Sequence, residues 1–288
     1  MPVVSSKRLI RVGHSPDPND AFMFYALAKE KIPMGDFRVE HVIEDIESLN
    51  QRALKGELEV TAVSCHAYAY MANRYLVMRS GASVGDNYGP ILVAKKGFFG
   101  KQGKFSSSDL RRKKIAIPGK LTTAYLALQL FGSQFEPIFI PFDQILETVL
   151  SGKVDLGLVI HEGQITYNQN GLEKVLDLGV WWQEQTKLPL PLGVDVIRRD
   201  LGKETIDSFA KLFKASIEYA LAHRKDALRY ALEFGRGISE NLGDQFVGMY
   251  VNHYTVDLGT KGESGLARLL AAGYEKGILP RPIKLEFV

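Results

Sequence analysis

Polar side chains follow several of the apolar runs in this sequence, at the points where the runs end. His161 follows the run 154–160, and Ser64 follows the run 60–63. Because parallel strands present their carboxyl ends at one edge of a sheet, we expect such groups to converge around a ligand. The candidates for this edge are residues 15–19, which include Ser15 and Asn19, residues 64–66, residues 122–124, and His161 with Glu162. Their chemistry is that of a site that binds a small anion and moves a proton.

His161 is the candidate for acid–base chemistry. A strand end carries its side chain out of a rigid sheet, and an unperturbed imidazole, with a pKa of about 6.5, can accept a proton at neutral pH. The alternative is that His161 only hydrogen-bonds a neighbouring loop. Glu162 is adjacent on an extended segment, so the two side chains diverge, and we expect Glu162 to organise the loop instead.

Ser64, Thr122 and Thr123 stand where helices are predicted to begin. Hydroxyl groups and the backbone N–H groups of a first helical turn bind anions, and the helix dipole favours negative charge there. A carboxylate is the expected ligand. The alternative for each residue is that it only caps its own helix.

Composition and charge exclude several classes of protein. The chain has 288 residues and a formal net charge of +3, too small to indicate a nucleic-acid binder. Its one cysteine, Cys65, excludes an intrachain disulfide or a multi-cysteine metal site and fits a reducing compartment. No run resembles a secretory signal or reaches the roughly 20 apolar residues that span a bilayer. We therefore expect a soluble cytoplasmic protein with a small-molecule partner, and neither nucleic acid nor membrane as partner.

Other possible sites are weaker. Cys65 and His66 are adjacent, so their side chains diverge and do not form a nucleophile–base pair. The remaining histidines show no metal-ligand spacing, and the sequence contains neither of the glycine-rich phosphate-binding patterns, GxGxxG and GxxxxGK(S/T). Trp181, Trp182 and Tyr167 could line a pocket for an aromatic ligand, although core packing is the safer expectation for at least one tryptophan.

Short apolar runs alternate with helical patterns, which predicts an α/β fold. A strand over 9–12, a turn and a helix over 21–30 are followed by a similar strand, turn and helix that begin at 114–117. Amphipathic helices then run almost to the C-terminus and are expected to pack on the first unit. These patterns predict a larger discontinuous lobe, 1–94 with 195–288, and a smaller inserted lobe, 95–194. Two crossings between the lobes suggest a hinged cleft that binds the ligand.

Several motifs together resemble one enzyme family, 1,4-dihydroxy-6-naphthoate synthase of the futalosine route to menaquinone, and its sibling chorismate dehydratase. The likeness runs from about residue 9 to the C-terminus. The motifs lie at 15–27 (SPDPNDAFMFYAL), 44–50 (EDIESLN), 79–82 (RSGA), 118–125 (PGKLTTAY), 157–162 (GLVIHE), 177–182 (DLGVWW) and 188–193 (LPLPLG).

The resemblance implies a type 2 periplasmic-binding-protein fold that works as a cytoplasmic enzyme without metal or organic cofactor. It implies a lyase that cleaves cyclic dehypoxanthine futalosine, with His161 as the catalytic base. It also implies substrate contacts at two places: Thr123 and Ala124, and Ala62, Val63 and Ser64. The sequence departs from the family at Asp17 (usually Cys), at Ala62 (often basic), at Cys65 with His66, and at 163–165.

Two other functions stay open at this point. One is a solute-binding protein that captures a small carboxylate without converting it, and the other is a sibling enzyme that acts on chorismate or a related enol-ether acid. The departures at Asp17 and Ala62 bear on the choice, because they weaken the recognition of an anion. The sequence is compatible with a monomer or a homodimer.

Overall fold

The computed structural model describes residues 7–98, 105–234 and 239–288. Contacts divide the chain into two compact units: unit 1 comprises residues through 83, 193–260 and 284–288, and unit 2 comprises 84–192 and 261–283. No helix in the described stretches combines the length and the apolar character that crossing a bilayer requires.

Unit 1 is built on a mixed sheet with the strand order β2-β1-β3-β11-β4, in which β5 also pairs with β11. Its strands are β1 (Arg8–His14), β2 (Phe37–Ile43), β3 (Val60–Ser64), β4 (Tyr75–Val77), β5 (Ser83–Gly85) and β11 (Leu190–Arg198), the last two of which extend into unit 2. Its helices are α1 (Pro18–Ala28), α2 (Ile46–Lys55), α3 (Cys65–Tyr68), α8 (Lys203–Ala222), α9 (Arg224–Leu232), α10 (Glu240–Tyr250) and α11 (His253–Val256). β1 runs parallel to β2 and β3, whereas β11 runs antiparallel to β3.

Local sequence explains why α2 forms where it does. The Asp45 carboxylate accepts hydrogen bonds from the backbone N–H groups of Glu47 and Ser48, and Gly56 ends the helix in the left-handed conformation with a φ of 74°. These are strong start and stop signals. Asp45 and Gly56 therefore account for the bounds of α2.

Unit 2 has a five-stranded sheet with the order β10-β6-β9-β7-β8. Its strands are β6 (Ile91–Lys95), β7 (Lys114–Ile117), β8 (Glu136–Phe139), β9 (Leu156–Val159) and β10 (Leu172–Asp177). Its helices are α4 (Thr123–Phe131), α5 (Ile145–Leu150), α6 (Gly163–Thr166), α7 (Leu178–Thr186) and most of α12 (Gly259–Glu275). β7 is parallel to β8 and β9, while β6 is antiparallel to β9 and β10.

The division of the chain differs from the predicted lobes at 84–94 and 261–283. Both segments belong to unit 2, so the chain passes between the units four times rather than twice. The reason is visible along α12, where a side chain at Gly265 would meet the carbonyl oxygen of Pro189 at 2.7 Å and one at Gly273 would meet Leu126 at 3.3 Å. These glycines let α12 pack closely against the other elements of unit 2. The apolar stripe of the helix alone does not specify which unit it packs against.

Candidate functional site

Two candidate segments of unit 1 emerge at the same edge of its sheet. β1 and β3 are parallel, with Gly13 opposite Thr61. The chain leaves β1 through His14 into Ser15, and it leaves β3 through Ser64 into α3. The structure therefore brings the candidates at 15–19 and 62–64 to one edge, as the sequence predicts.

Ser15 and Asn19 are both held by Asp20, in the first turn of α1. The Asp20 carboxylate accepts from the Ser15 backbone N–H at 2.9 Å and from the Asn19 amide nitrogen at 2.8 Å. The Ser15 hydroxyl donates to Asp17 Oδ2 at 2.8 Å. All four residues are buried. Asp17, a departure from the family pattern, thus accepts the hydrogen bond of the Ser15 hydroxyl, which a ligand could otherwise accept.

Asn50 fixes Ser64 from both sides. The Asn50 side-chain oxygen accepts from the Ser64 backbone N–H at 2.9 Å, and its amide nitrogen donates to the Ser64 hydroxyl at 3.2 Å. Ser64 makes no side-chain capping bond to α3, so the capping alternative does not describe it. Since the Ser64 oxygen accepts from Asn50, the hydroxyl proton is directed elsewhere. Asn50 was not among the predicted site residues, although a polar residue between Leu49 and Ala53 on the buried face of α2 is a visible signal.

Ala62 and Val63 can offer a ligand little beyond their backbone. Both are buried in β3, where they pair with Asp195 and Val194 of β11. Neither side chain carries a charge or a hydrogen-bonding group. The position that the family often fills with a cation is thus occupied by a methyl group.

His14, which is buried in β1, and His41, which is half-buried in β2, form a hydrogen-bonded pair. His14 Nδ1 lies 3.0 Å from the Ser15 carbonyl oxygen, and His14 Nε2 lies 3.1 Å from His41 Nδ1. A carbonyl only accepts, so His14 Nδ1 carries the proton and His41 Nδ1 donates to His14 Nε2. Burial, followed by the neighbouring His41, lowers the pKa of His14 to about 4, and burial lowers the pKa of His41 to about 4. Both rings are neutral at pH 7.

Asp195 is a fully buried carboxyl on β11. Burial, followed by the charge of Asp20, raises its pKa well above the ordinary range of an aspartate. Its Oδ1 has no hydrogen-bond partner in the described chain. Its Oδ2 and the Phe213 ring occupy the space that a side chain at Gly81 would need, and Gly81 has a φ of 98° that favours glycine. Both causes disfavour the ionised form of this acid, and its neighbours include Asp20 in the first turn of α1.

His161 lies at the corresponding edge of the unit 2 sheet. β7 and β9 are parallel, with Ala116 opposite Gly157, so Thr123 after β7 and His161 after β9 emerge on the same side. The structure places these two candidates at one edge, as predicted.

The backbone around His161 is turned sharply. His161 follows β9 by two residues and has a φ of 57°, in the left-handed region that few side chains adopt. The ring is half-buried and packs edge-on against Phe142, with the ring centres 4.6 Å apart. A side chain at Gly163 would meet Val159 at 2.6 Å, so this departure from the family lets the chain fold back on the strand that it has just left. Such non-glycine positive-φ residues cluster at functional sites.

Thr122, Thr123 and Ala124 have distinct roles at the start of α4. The Thr122 oxygen accepts from the Tyr125 N–H at 3.3 Å, so for Thr122 the capping alternative is correct. The Thr123 hydroxyl donates to the Leu192 carbonyl at 2.5 Å, so it does not cap the helix. Ala124 is buried and contributes only backbone. The backbone N–H groups in the first turn of a helix have no acceptor within the helix and point out of its N-terminal end, so they can bind a carboxylate.

Comparisons with known proteins agree with this architecture. A family model described as menaquinone biosynthesis matches residues 10–275. A 1,4-dihydroxy-6-naphtoate synthase of Thermus thermophilus is 40% identical over 277 residues, which cover 95% of this chain and 98% of the relative. The crystal structure of protein AF1704 from Archaeoglobus fulgidus matches with a TM-score of 0.87 and 46% identity, covering 94% of this chain and 98% of that one.

A more distant structure shows the fold. The CA3427 gene product of Candida albicans, described as having the generic periplasmic binding protein fold, matches with a TM-score of 0.63 at 13% identity and covers 98% of this chain and 97% of its own. This match confirms the predicted α/β fold of the periplasmic-binding-protein type. The match over 10–275 and the 40% identity also confirm the resemblance drawn from the motifs. The chain belongs to the menaquinone biosynthesis family.

Proposed function

We propose that this protein is a 1,4-dihydroxy-6-naphthoate synthase, a lyase that cleaves cyclic dehypoxanthine futalosine without a metal or organic cofactor. The name of the Thermus thermophilus relative supports the reaction. The observation that carries the proposal is the position of His161, half-buried and at the same sheet edge of unit 2 as Thr123.

His161 acts as the general base. Its imidazole takes a hydroxyl proton from the sugar-derived part of the bound substrate, and that part leaves as a carbonyl compound. The electron pair of the broken bond passes into the bicyclic ring, which becomes aromatic, and the imidazolium returns the proton to a ring oxygen. Aromatisation supplies much of the driving force. A positioned base contributes about 10²–10⁴-fold to the rate, and contact with Phe142 limits the orientations that the ring can adopt.

The remaining candidates bind and orient the substrate. In unit 2, the first turn of α4 at Thr123 and Ala124 accepts the carboxylate. In unit 1, the Ser64 hydroxyl donates a hydrogen bond to the substrate, because it already accepts one from Asn50 and its own proton therefore points away from Asn50. Ala62 and Val63 offer backbone contacts. Ser15 and Asn19 line the same edge. The hinged cleft, the cytoplasmic location and the monomeric or homodimeric state stay predictions of the sequence.

Replacement of His161 tests the proposal. We expect His161→Ala and His161→Gln to lower kcat on cyclic dehypoxanthine futalosine by about 10²-fold or more, followed by the absorbance of the aromatic product, with an unchanged circular dichroism spectrum. His223→Ala is the control, because His223 is an exposed histidine in unit 1. Turnover by His161→Ala within a few-fold of the unmutated protein would refute the assignment.

The same assay separates the alternatives. A protein that binds the substrate and returns it unchanged is a solute-binding protein. One that converts only chorismate is the sibling enzyme.

A further inference from the structure

Unit 2 contains a pocket that the proposed function does not use. Its volume is about 560 Å³, within the usual range for small-molecule sites. It is formed by α4, α7, α12 and the segment after α7. Thr123 begins α4, and Leu130, near the other end, lines the pocket. The separation of seven positions along the helix corresponds to about 10 Å. The pocket is therefore separate from the edge that carries Thr123.

The wall of this pocket is aromatic and apolar. Trp181 lines it with a partly exposed ring, and Leu130, Leu188 and Ala272 add apolar surface. Trp181 is held edge-on by Phe131, with the ring centres 5.5 Å apart. Trp182, by contrast, is buried and donates from its indole nitrogen to the Pro189 carbonyl at 3.1 Å. Only one of the two tryptophans therefore belongs to the core, and the other offers a fixed ring for stacking.

The rim of the pocket is positively charged. Arg268 and Lys276 line it together with one acid, Glu275. Arg268 pairs with Glu275 at 3.0 Å, whereas Lys276 has no ion-pair partner among the described residues. One positive charge thus remains uncompensated beside the aromatic wall. A fused or single aromatic ring that carries a carboxylate would satisfy both features.

We propose that this pocket, which we call the Trp181 pocket, is a second binding site for an aromatic carboxylate. The ring stacks on Trp181, and the carboxylate lies against Lys276 and Arg268. The proposal does not depend on the reaction assigned to His161, because none of its residues lies at the His161 edge.

Nuclear magnetic resonance of the two indole N–H groups provides the test, since the chain has only two tryptophans and both line the pocket. The probe is naphthalene-2-carboxylate, titrated into protein labelled with ¹⁵N-tryptophan, and Trp181→Phe assigns the two signals. We expect a saturable shift of the Trp181 signal. The double variant Arg268→Gln, Lys276→Gln should raise the Kd for the carboxylate by roughly three- to tenfold, because two exposed cations are removed.

Two controls locate the site. Naphthalene-2-carboxamide, which is neutral, should bind more weakly than the carboxylate and should not respond to the double variant. Thr123→Val should leave the Trp181 shift unchanged, which separates this pocket from the candidate substrate contact. Absence of a saturable shift at millimolar probe, or equal affinity of the double variant for the carboxylate, would show that the Trp181 pocket is a surface crevice only.

Discussion

The sheet edges of the two units carry different kinds of polar groups. In unit 1, Ser15, Asn19 and Ser64 are held by neighbouring side chains, and titrating groups are buried beneath them. In unit 2, His161 is half-buried, and Thr123 bonds to a backbone carbonyl. The difference indicates that unit 1 holds its candidate binding groups in fixed orientations, and that its buried titratable groups make its stability depend on pH. Unit 2, by contrast, carries the candidate base, His161, on a backbone in the left-handed conformation.

The largest expected effect on stability comes from the His14–His41 pair of unit 1. Both histidines have a folded-state pKa of about 4, below the unfolded value of about 6.5. The unfolded chain therefore binds protons first as the pH falls, and stability is lost between about pH 6.5 and pH 4. A shift of this size corresponds to roughly 3 kcal/mol for one histidine, which urea unfolding at pH 7 and pH 4.5 would measure.

A variant assigns this loss to the pair. His41→Gln can still donate to His14 Nε2 but does not titrate, so we expect it to lose less stability on acidification than the unmutated protein. His223→Gln, which replaces an exposed histidine outside this pair, is the control. Identical acid profiles for His41→Gln and the unmutated protein would contradict this account.

Asn50 is the next test, because it acts on both stability and binding. Asn50→Ala leaves the buried Ser64 N–H without its acceptor, which costs about 1–3 kcal/mol, and frees the Ser64 hydroxyl to rotate. We expect a lower free energy of unfolding and a higher KM. Asn50→Asp keeps the acceptor for the N–H but draws the hydroxyl proton toward itself, so it should raise KM with a smaller loss of stability. A normal KM in both variants would exclude a role of Ser64 in binding.

Asp195 should make stability depend on pH in the opposite direction to the His14–His41 pair. Its folded-state pKa is raised, so the folded chain holds the proton more tightly, and stability is lost as the pH rises through that pKa. Asp195→Asn keeps the shape of the side chain without its titration, so its free energy of unfolding relative to that of the unmutated protein should rise as the pH rises. Asp200→Asn, at an exposed aspartate just after β11 that pairs with Arg198, is the control, and thermal unfolding at several pH values measures both variants.

The sequence predicts what local chemistry encodes and misses what depends on distant partners. The caps of α2 at Asp45 and Gly56 are local signals, and the strand ends at Ser64 and just before His161 follow from the apolar pattern. The Asn50–Ser64 bonds join two elements, and an amphipathic α2 is equally compatible with an unbonded Asn50. The placement of α12 in unit 2 depends on glycines that fit against Pro189 and Leu126, which an apolar stripe does not specify.

The smallest expected change in stability, and the sharpest test of unit 2, comes from Thr123. Thr123→Val removes the bond to the Leu192 carbonyl without changing the shape of the side chain, and a neutral hydrogen bond contributes about 0.5–1.5 kcal/mol. We expect a fall of a few degrees in Tm and a larger proportional fall in kcat/KM. Thr123→Ser keeps the hydroxyl and should restore most of both.

Thr148→Val is the matched control for Thr123→Val. The Thr148 hydroxyl makes the same kind of bond to the carbonyl of Gln144, one turn away along the chain, and Thr148 is not one of the candidate site residues. It should change Tm slightly and kcat/KM not at all. If Thr123→Val and Thr148→Val affect kcat/KM equally, Thr123 supports the fold only.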